Sequence, residues 1–166
     1  MPFLLQQKKR GTMYQVEKAK ILDIPELLGL AVHFWNESET YSQRPMDLAT
    51  VKTHLQTLIL YPSQGCVLIC KDETGKILGG FVGGLTREWF SATSLMAFDY
   101  CLFVSSNNRG SKVAYMLVTA FIEWAKEAGA TIIQCGTATK INTERTISFY
   151  KKFGFEHTGS FLEMKL

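Results

Sequence analysis

Residues 102–114 read Leu102-Phe103-Val104-Ser105-Ser106-Asn107-Asn108-Arg109-Gly110-Ser111-Lys112-Val113-Ala114, with two cations and a glycine between an apolar run and an amphipathic one. A strand ending here and a helix starting here would leave free backbone N–H groups at the helix N-terminus, which is an anion site. Arg109 and Lys112 would add positive charge, and phosphate or pyrophosphate is the ligand that suits such a turn. An ordinary strand-to-helix turn with Arg109 solvated has the same letters. Three carboxylates are candidates for proton chemistry. Glu37 and Glu39 lie in a polar stretch that reads equally as a solvated loop. Asp99 interrupts the apolar run Leu95 to Val104, and a carboxylate there must be paired or face a cleft, because burying an unpaired charge is costly.

The segment Thr143-Glu144-Arg145-Thr146-Ile147-Ser148-Phe149-Tyr150-Lys151-Lys152-Phe153-Gly154-Phe155 follows the next apolar run. Together the two segments resemble the GCN5-related N-acetyltransferase (GNAT) family. That family has a strand, an R/Q-x-x-G-x-G/A loop opening a helix, a second strand, and a short helix ending in F/L-Y-x-K-x-G-F. The match at 149–155 is close. In the loop Lys112 stands where the family usually has Gly, a variation similar to that of some bacteriophage-encoded members. Thr143 stands where Asn is common, with Asn142 just before it, and Thr146 replaces a frequent Ala.

The resemblance implies acetyl-CoA as cofactor, CoA as product, and direct attack by a primary amine in a ternary complex. It implies that Leu102, Phe103 and Val104 pair with pantetheine along a strand that splays from its neighbour, one amide polarising the acetyl carbonyl. The Arg109, Gly110, Ser111, Lys112, Val113 and Ala114 loop would hold the pyrophosphate, with Asn142 and Arg145 contributing from the second motif. Tyr150 would protonate the departing thiolate: a phenol near pKa ~10 and a thiol near ~8.5 are close enough for the transfer. Tyr150 as a core aromatic beside Phe149 and Phe153 is the alternative. Glu37, Glu39 or Asp99 would deprotonate the arriving amine. The rival readings are a non-catalytic acyl-CoA-binding or regulatory domain, kept open by Lys112, and a protein-interaction module on the same sheet.

The elements that must position these residues follow from periodicity. Tyr14 to Ala19 alternates as a strand. Asp23 caps a helix with Pro25 in its first turn and Glu26 completing a capping box, and Leu27, Leu30, Ala31 and Phe34 form its stripe. Asp47 opens a second helix. The period then changes to two: Cys66 to Lys71 and Lys76 to Leu85 make a β-hairpin about Asp72-Glu73-Thr74-Gly75, and Ser94 to Val104 is a central strand. A helix from Lys112 stops at Gly129, Ala130 to Cys135 is a buried strand, Thr143 to Lys152 is a short helix, and one or two strands close the chain around Gly159. The expected fold is α/β, a mixed and mostly antiparallel sheet with helices on both faces, in the order β-α-α-β-β-β-α-β-α-β-β.

The 166 residues fit one domain, expected over 12–166 behind a flexible lead at 1–11. Apolar residues are 46% and charged residues 20%, ordinary globular values that exclude a coiled coil or a disordered tail. The net charge of +3 falls short of a dedicated nucleic-acid binder. The apolar stretch Leu27 to Trp35 is far below the ~20 residues of a membrane span. Cys66, Cys70, Cys101 and Cys135 form no C-x-x-C pair, and His33, His54 and His157 have no zinc-finger spacing, so buried free thiols, no metal and a reducing cytoplasm are expected. Gly80-Phe81-Val82-Gly83 lies inside a strand and is not read as a nucleic-acid loop. The expected partner is a small-molecule or peptide amine, with no nucleic acid or membrane and a homodimer as an option. Acceptor choice is assigned to the loops at 36–46 and 86–93, with Trp89-Phe90 able to wall a pocket.

Overall fold

The computed structural model describes residues 5–9 and 12–166. Six strands lie side by side in chain order: β1 (Leu5–Lys9), β2 (Thr12–Lys18), β3 (Gly65–Lys71), β4 (Ile77–Arg87), β5 (Leu95–Val104) and β6 (Ile132–Gln134). All neighbours are antiparallel except β5 and β6, which are parallel. The helices are α1 (Ile24–Glu37), α2 (Leu48–Leu60), α3 (Val113–Glu127) and α4 (Thr143–Lys151). Of the expected N-terminal lead, 5–9 form β1; residues 1–4, 10 and 11 lie outside the described residues.

Period-two alternation divides β3 between two cores. Val67 and Ile69 pack with Leu27 of α1 and Leu55 and Leu58 of α2. Cys66, Leu68 and Cys70 pack on the other face with Leu117, Phe121 and Trp124 of α3 and Tyr150 of α4. Helix α3 carries the larger share, burying eight side chains from Val113 to Ala125. Each large apolar side chain buried contributes ~1.5–3 kcal/mol.

Glycines in β4 let aromatic rings lie against the strand. The Phe121 ring occupies the space a Cβ on Gly83 would need, and stacks on Phe81 with centroids 4.0 Å apart. On the opposite face the Phe103 ring would meet a Cβ on Gly80 at 2.8 Å.

Three expectations are corrected. Asp23 makes no side-chain cap to α1: its carboxylate takes the Lys20 amide at 2.7 Å and Lys71 Nζ at 2.8 Å, while Glu26 accepts from the Ile77 amide at 2.9 Å. Tertiary partners have outcompeted the local box. The strand expected over 130–135 is only three residues, and Ile132 and Gln134 are exposed because β6 is the sheet edge. No residue after Lys151 is in a strand: the tail is held by side chains, Glu163 with Arg44 and Lys165 with Gln43, and Phe161, Leu162, Met164 and Leu166 are exposed.

Two glycines make opposite predictions. Gly83→Ala forces the Phe121 ring from its place and is expected to lose about 1–3 kcal/mol. A Cβ on Gly29, within α1, meets nothing within 4 Å, so Gly29→Ala is expected to gain ~0.5–1 kcal/mol. Urea unfolding of both variants checks the contrast in sign.

Candidate active site

The site is set by two irregularities in β5. Opposite β4, Val82 faces Cys101 while Gly83 faces Asp99, so Tyr100 is an extra residue, a β-bulge. On its other side β5 pairs with β6 only at Met96, Ala97 and Phe98, matched to Ile132, Ile133 and Gln134. From Asp99 to Val104 that edge of β5 has no strand partner among the described residues. The backbone of Leu102, Phe103 and Val104 therefore borders a gap that an extended ligand can enter as an added strand.

The bulge also sorts side chains. Asp99 falls opposite Gly83, whose face is covered by Phe121 of α3. Tyr100 and Cys101 turn to the α1/α2 face, Tyr100 against His54 and Cys101 against the core beneath α1 and α2. Asp99 accepts a hydrogen bond from the Gly136 amide at 3.0 Å. It makes no ion pair among the described residues, and burial pushes its carboxyl up to about 6 despite the Gly136 amide. Tyr150 of α4 is 7% exposed. Burial pushes its phenol well up, and Cys135 and the Asp99 charge beside it act in the same direction. The Cys135 thiol is raised by burial too, so all three groups favour their protonated forms. The Tyr150 ring packs on Phe149 and Phe155, as the core-aromatic reading expects, while its hydroxyl bonds to Cys135 and feels the Asp99 charge.

The anion loop begins where β5 ends. A 3-10 turn, Ser106–Asn108, leads to Arg109 and then to Gly110, which has φ +81°. The left-handed position is Gly110. Lys112 has φ −74° and needs no glycine, which explains how a lysine stands where the family has Gly. Its side chain is exposed and it immediately precedes α3. Ser111 accepts weakly from the Val113 amide at 3.3 Å. The first amides of a helix lack intrahelical partners, and those of Val113 and Ala114 open α3 here. Arg145 of α4 reaches the same loop: its Nη2 lies 3.9 Å from where a Cβ on Gly110 would be. Asn142, at the start of α4, is itself left-handed at φ 47° and exposed.

Glu37 is not free beside this loop. Its carboxylate pairs with Arg109, whose Nε also donates to the Val104 carbonyl at 3.2 Å. Glu39 pairs with Lys140 at 3.6 Å. The two loops are tied at their base by Ser38, fully buried, which donates to the Thr139 carbonyl at 3.0 Å and accepts from the Tyr41 amide. The structure therefore brings together Arg109, Gly110, Arg145 and Glu37 at one end of the gap, and Asp99 and Tyr150 at the other. The rings of Trp89 and Phe90 pack on each other and are 95% and 65% exposed.

Sequence reasoning missed Cys135 and His54. Cys135 read as a core thiol, and only the end of β6 at Gln134 puts it beside Tyr150. His54 read as a failed zinc ligand, and nothing in the spacing places it against Tyr100. All four cysteines are free, and no helix of the described residues is long and apolar enough to cross a membrane.

The chain matches the model of the acetyltransferase (GNAT) family over residues 27–155. Solved structures share the fold at low identity. Glucosamine-6-phosphate N-acetyltransferase from Arabidopsis thaliana is 14% identical with a TM-score of 0.71, over 92% of this chain and 97% of that one. AAC(6')-Iy, solved with a bisubstrate analogue of CoA, is 17% identical with a TM-score of 0.72, over 92% and 97%. A transcriptional regulator from Bacillus halodurans C-125 is 19% identical with a TM-score of 0.72, over 92% and 99%. No curated protein matches in sequence.

The raised Asp99 carboxyl has a stability consequence. The native state holds this proton more tightly than the unfolded chain, about 6 against 3.8. The contribution of Asp99 to native stability is therefore expected to fall by ~3 kcal/mol as pH rises from about 4 to about 6, and to stay lower above that. Asp99→Asn removes this loss. The variant is expected to gain on the wild type between pH 4 and 8, and urea unfolding across that range checks it; a constant offset between the two would contradict the shift.

Proposed function

We propose that this chain, which belongs to the acetyltransferase (GNAT) family, transfers an acetyl group from acetyl-CoA to a primary amine. The observation that carries the reading is the gap between β5 and β6, with the anion loop at one end and Asp99 and Tyr150 at the other. It supports a long ligand with an anionic end, an extended amide-bearing arm and a reactive tip.

Acetyl-CoA supplies an activated thioester. The amides of Gly110 to Ala114, with Arg109 and Arg145, hold the pyrophosphate. Arg109 exchanges part of its pairing with Glu37 for phosphate. Along Leu102, Phe103 and Val104, the main-chain groups of Leu102 and the Val104 amide are turned to the gap and would meet the arm, one of these amides polarising the acetyl carbonyl. The amine nitrogen attacks that carbonyl carbon and the C–S bond breaks. Asp99 takes the proton that the amine must lose, being the candidate carboxylate with no cation on it. Tyr150 gives its proton to the leaving sulfur: its raised phenol is protonated and available as a donor at neutral pH, although the same shift makes it a weaker acid towards a thiolate than a free phenol. Burial raises the Asp99 carboxyl and makes it a stronger base.

A second reading, an acyl-CoA-binding or regulatory domain without turnover, is favoured by Lys112 in the anion loop and by the fold shared with a transcriptional regulator. One set of measurements separates the two. With acetyl-CoA at 100-fold above Kd the protein is expected to gain about 2.7 kcal/mol in thermal unfolding. Arg109→Ala and Arg145→Ala should each weaken that gain. Thiol release with a panel of amines should follow, and Tyr150→Phe should slow it by about 10²–10⁴-fold with acetyl-CoA binding intact. Binding without thiol release supports the domain reading, and full turnover by Tyr150→Phe removes the acid role.

A further inference from the structure

The last residue of α1 and the two that follow it each hold a different part of the chain. Glu37 pairs with Arg109 in the turn before α3. Ser38, fully buried, donates to the Thr139 carbonyl at 3.0 Å. Glu39 pairs with Lys140 at 3.6 Å. Thr139 and Lys140 lie between β6 and α4. These consecutive residues therefore join the turn before α3 to the segment before α4. They also open the loop between α1 and α2. In that loop the Tyr41 amide donates to Ser38 Oγ, and the Arg44 carbonyl accepts from Trp35 Nε1 at 3.2 Å.

One of these ties involves a group with a second claim on it. Arg109 gives its Nε to the Val104 carbonyl at 3.2 Å and its Nη2 to Glu37. Pyrophosphate offers the same guanidinium a forked acceptor with more negative charge than a carboxylate. The side chains of Arg109 and Glu37 are 44% and 35% exposed, so solvent screens the pair and it yields at little cost. Glu37 does not lose Arg109 without consequence. It ends α1, where the helix dipole disfavours a carboxylate. The last turn of α1 has no basic residue, and Arg109 is the one ion-pair partner of Glu37 among the described residues.

We propose that Glu37 is a resident competitor for the anion loop. It holds Arg109 in the free protein and yields it to the pyrophosphate of the cofactor. Yielding leaves a carboxylate uncompensated at the end of α1, and this passes occupancy of the anion loop to the segment between α1 and α2. The proposal rests on the acetyl-transfer reading for the identity of the cofactor; the competition for Arg109 needs only an anion in the loop.

Inorganic pyrophosphate and acetyl-CoA are the probes, titrated calorimetrically into the full chain at one low ionic strength, where exposed pairs are least screened. Glu37→Gln is expected to tighten both about threefold, in keeping with an exposed pair. A group that merely supported the loop would weaken them on removal. The gain should vanish in an Arg109→Gln background, because a general relief of negative charge does not depend on Arg109. Glu39→Gln should leave both affinities unchanged. The Trp35 indole N–H reports the passage to the loop by NMR. In the wild type its resonance should move in step with pyrophosphate binding. In Glu37→Gln it should start displaced towards the bound position and move less than half as far.

The competition is overturned if pyrophosphate does not bind, if Glu37→Gln does not tighten it, or if the gain is equal in the Arg109→Gln background or with Glu39→Gln. A Trp35 resonance that ignores pyrophosphate in the wild type, or responds equally in Glu37→Gln, overturns the passage to the loop. Tightened pyrophosphate with no binding of acetyl-CoA overturns the acetyl-transfer reading and leaves the competition standing.

Discussion

Everything at the candidate site depends on β5 having lost its neighbour. A central strand with both edges paired has no backbone to offer. After Phe98, β5 keeps β4 on one side and has no strand among the described residues on the other. The parallel partner β6 is only three residues long, so the parting begins where its ladder runs out. That leaves several main-chain groups of one strand unpaired in a cleft, a costly condition unless water or a ligand satisfies them. The bulge at Tyr100 lies one residue beyond Asp99 on that free edge. It turns Asp99 towards α4 and Tyr100 towards α2, so one strand serves both sides of the sheet.

Charge at the mouth is organised differently from the chemistry inside. Arg109, Glu37, Lys140 and Glu39 are paired and exposed enough for solvent to screen them, and such pairs contribute little to stability. Their effect is positional. Glu37 ends α1 and Arg109 follows β5, so the pair aligns the end of α1 with the turn before α3. Ser38 next to Glu37 bonds to the carbonyl of Thr139, which fixes the same helix end to the loop before α4. Inside, Asp99, Cys135 and Tyr150 are governed by desolvation, and their protonated forms are favoured together.

Much of this was legible in the chain because it is local. The hairpin about Asp72 to Gly75, the central strand, the amphipathic α3 and the short α4 each follow from periodicity and turn residues within a dozen positions. The turn at Arg109 and Gly110 was legible because an apolar run ends before it and an amphipathic one begins after it, and Gly110 takes the left-handed position there. Contacts between distant segments were not. The alternation in Phe155 to Leu166 suits a strand, but pairing needs a long partner edge, and β6 does not provide one. Asp23 and Glu26 fit a capping box, yet Lys71 and the Ile77 amide, dozens of residues away, bind them more favourably. Glu37 read as a solvated acid because its partner is 72 residues on.

The lysine in the anion loop shows why motif letters and geometry must be separated. A glycine in such a loop serves either to permit a left-handed turn or to let backbone approach a phosphate without a Cβ. At Gly110 the first need is real, with φ +81°. At Lys112 it is absent, because φ is −74° and the residue already has helical backbone. Only close approach is then at issue, and a Cβ on helical backbone points back along the axis, away from the amides that follow it. The Lys112 side chain is exposed, three residues after Arg109, whose turn Arg145 also approaches. Replacing glycine by lysine here therefore exchanges backbone freedom that the turn does not use for a positive charge.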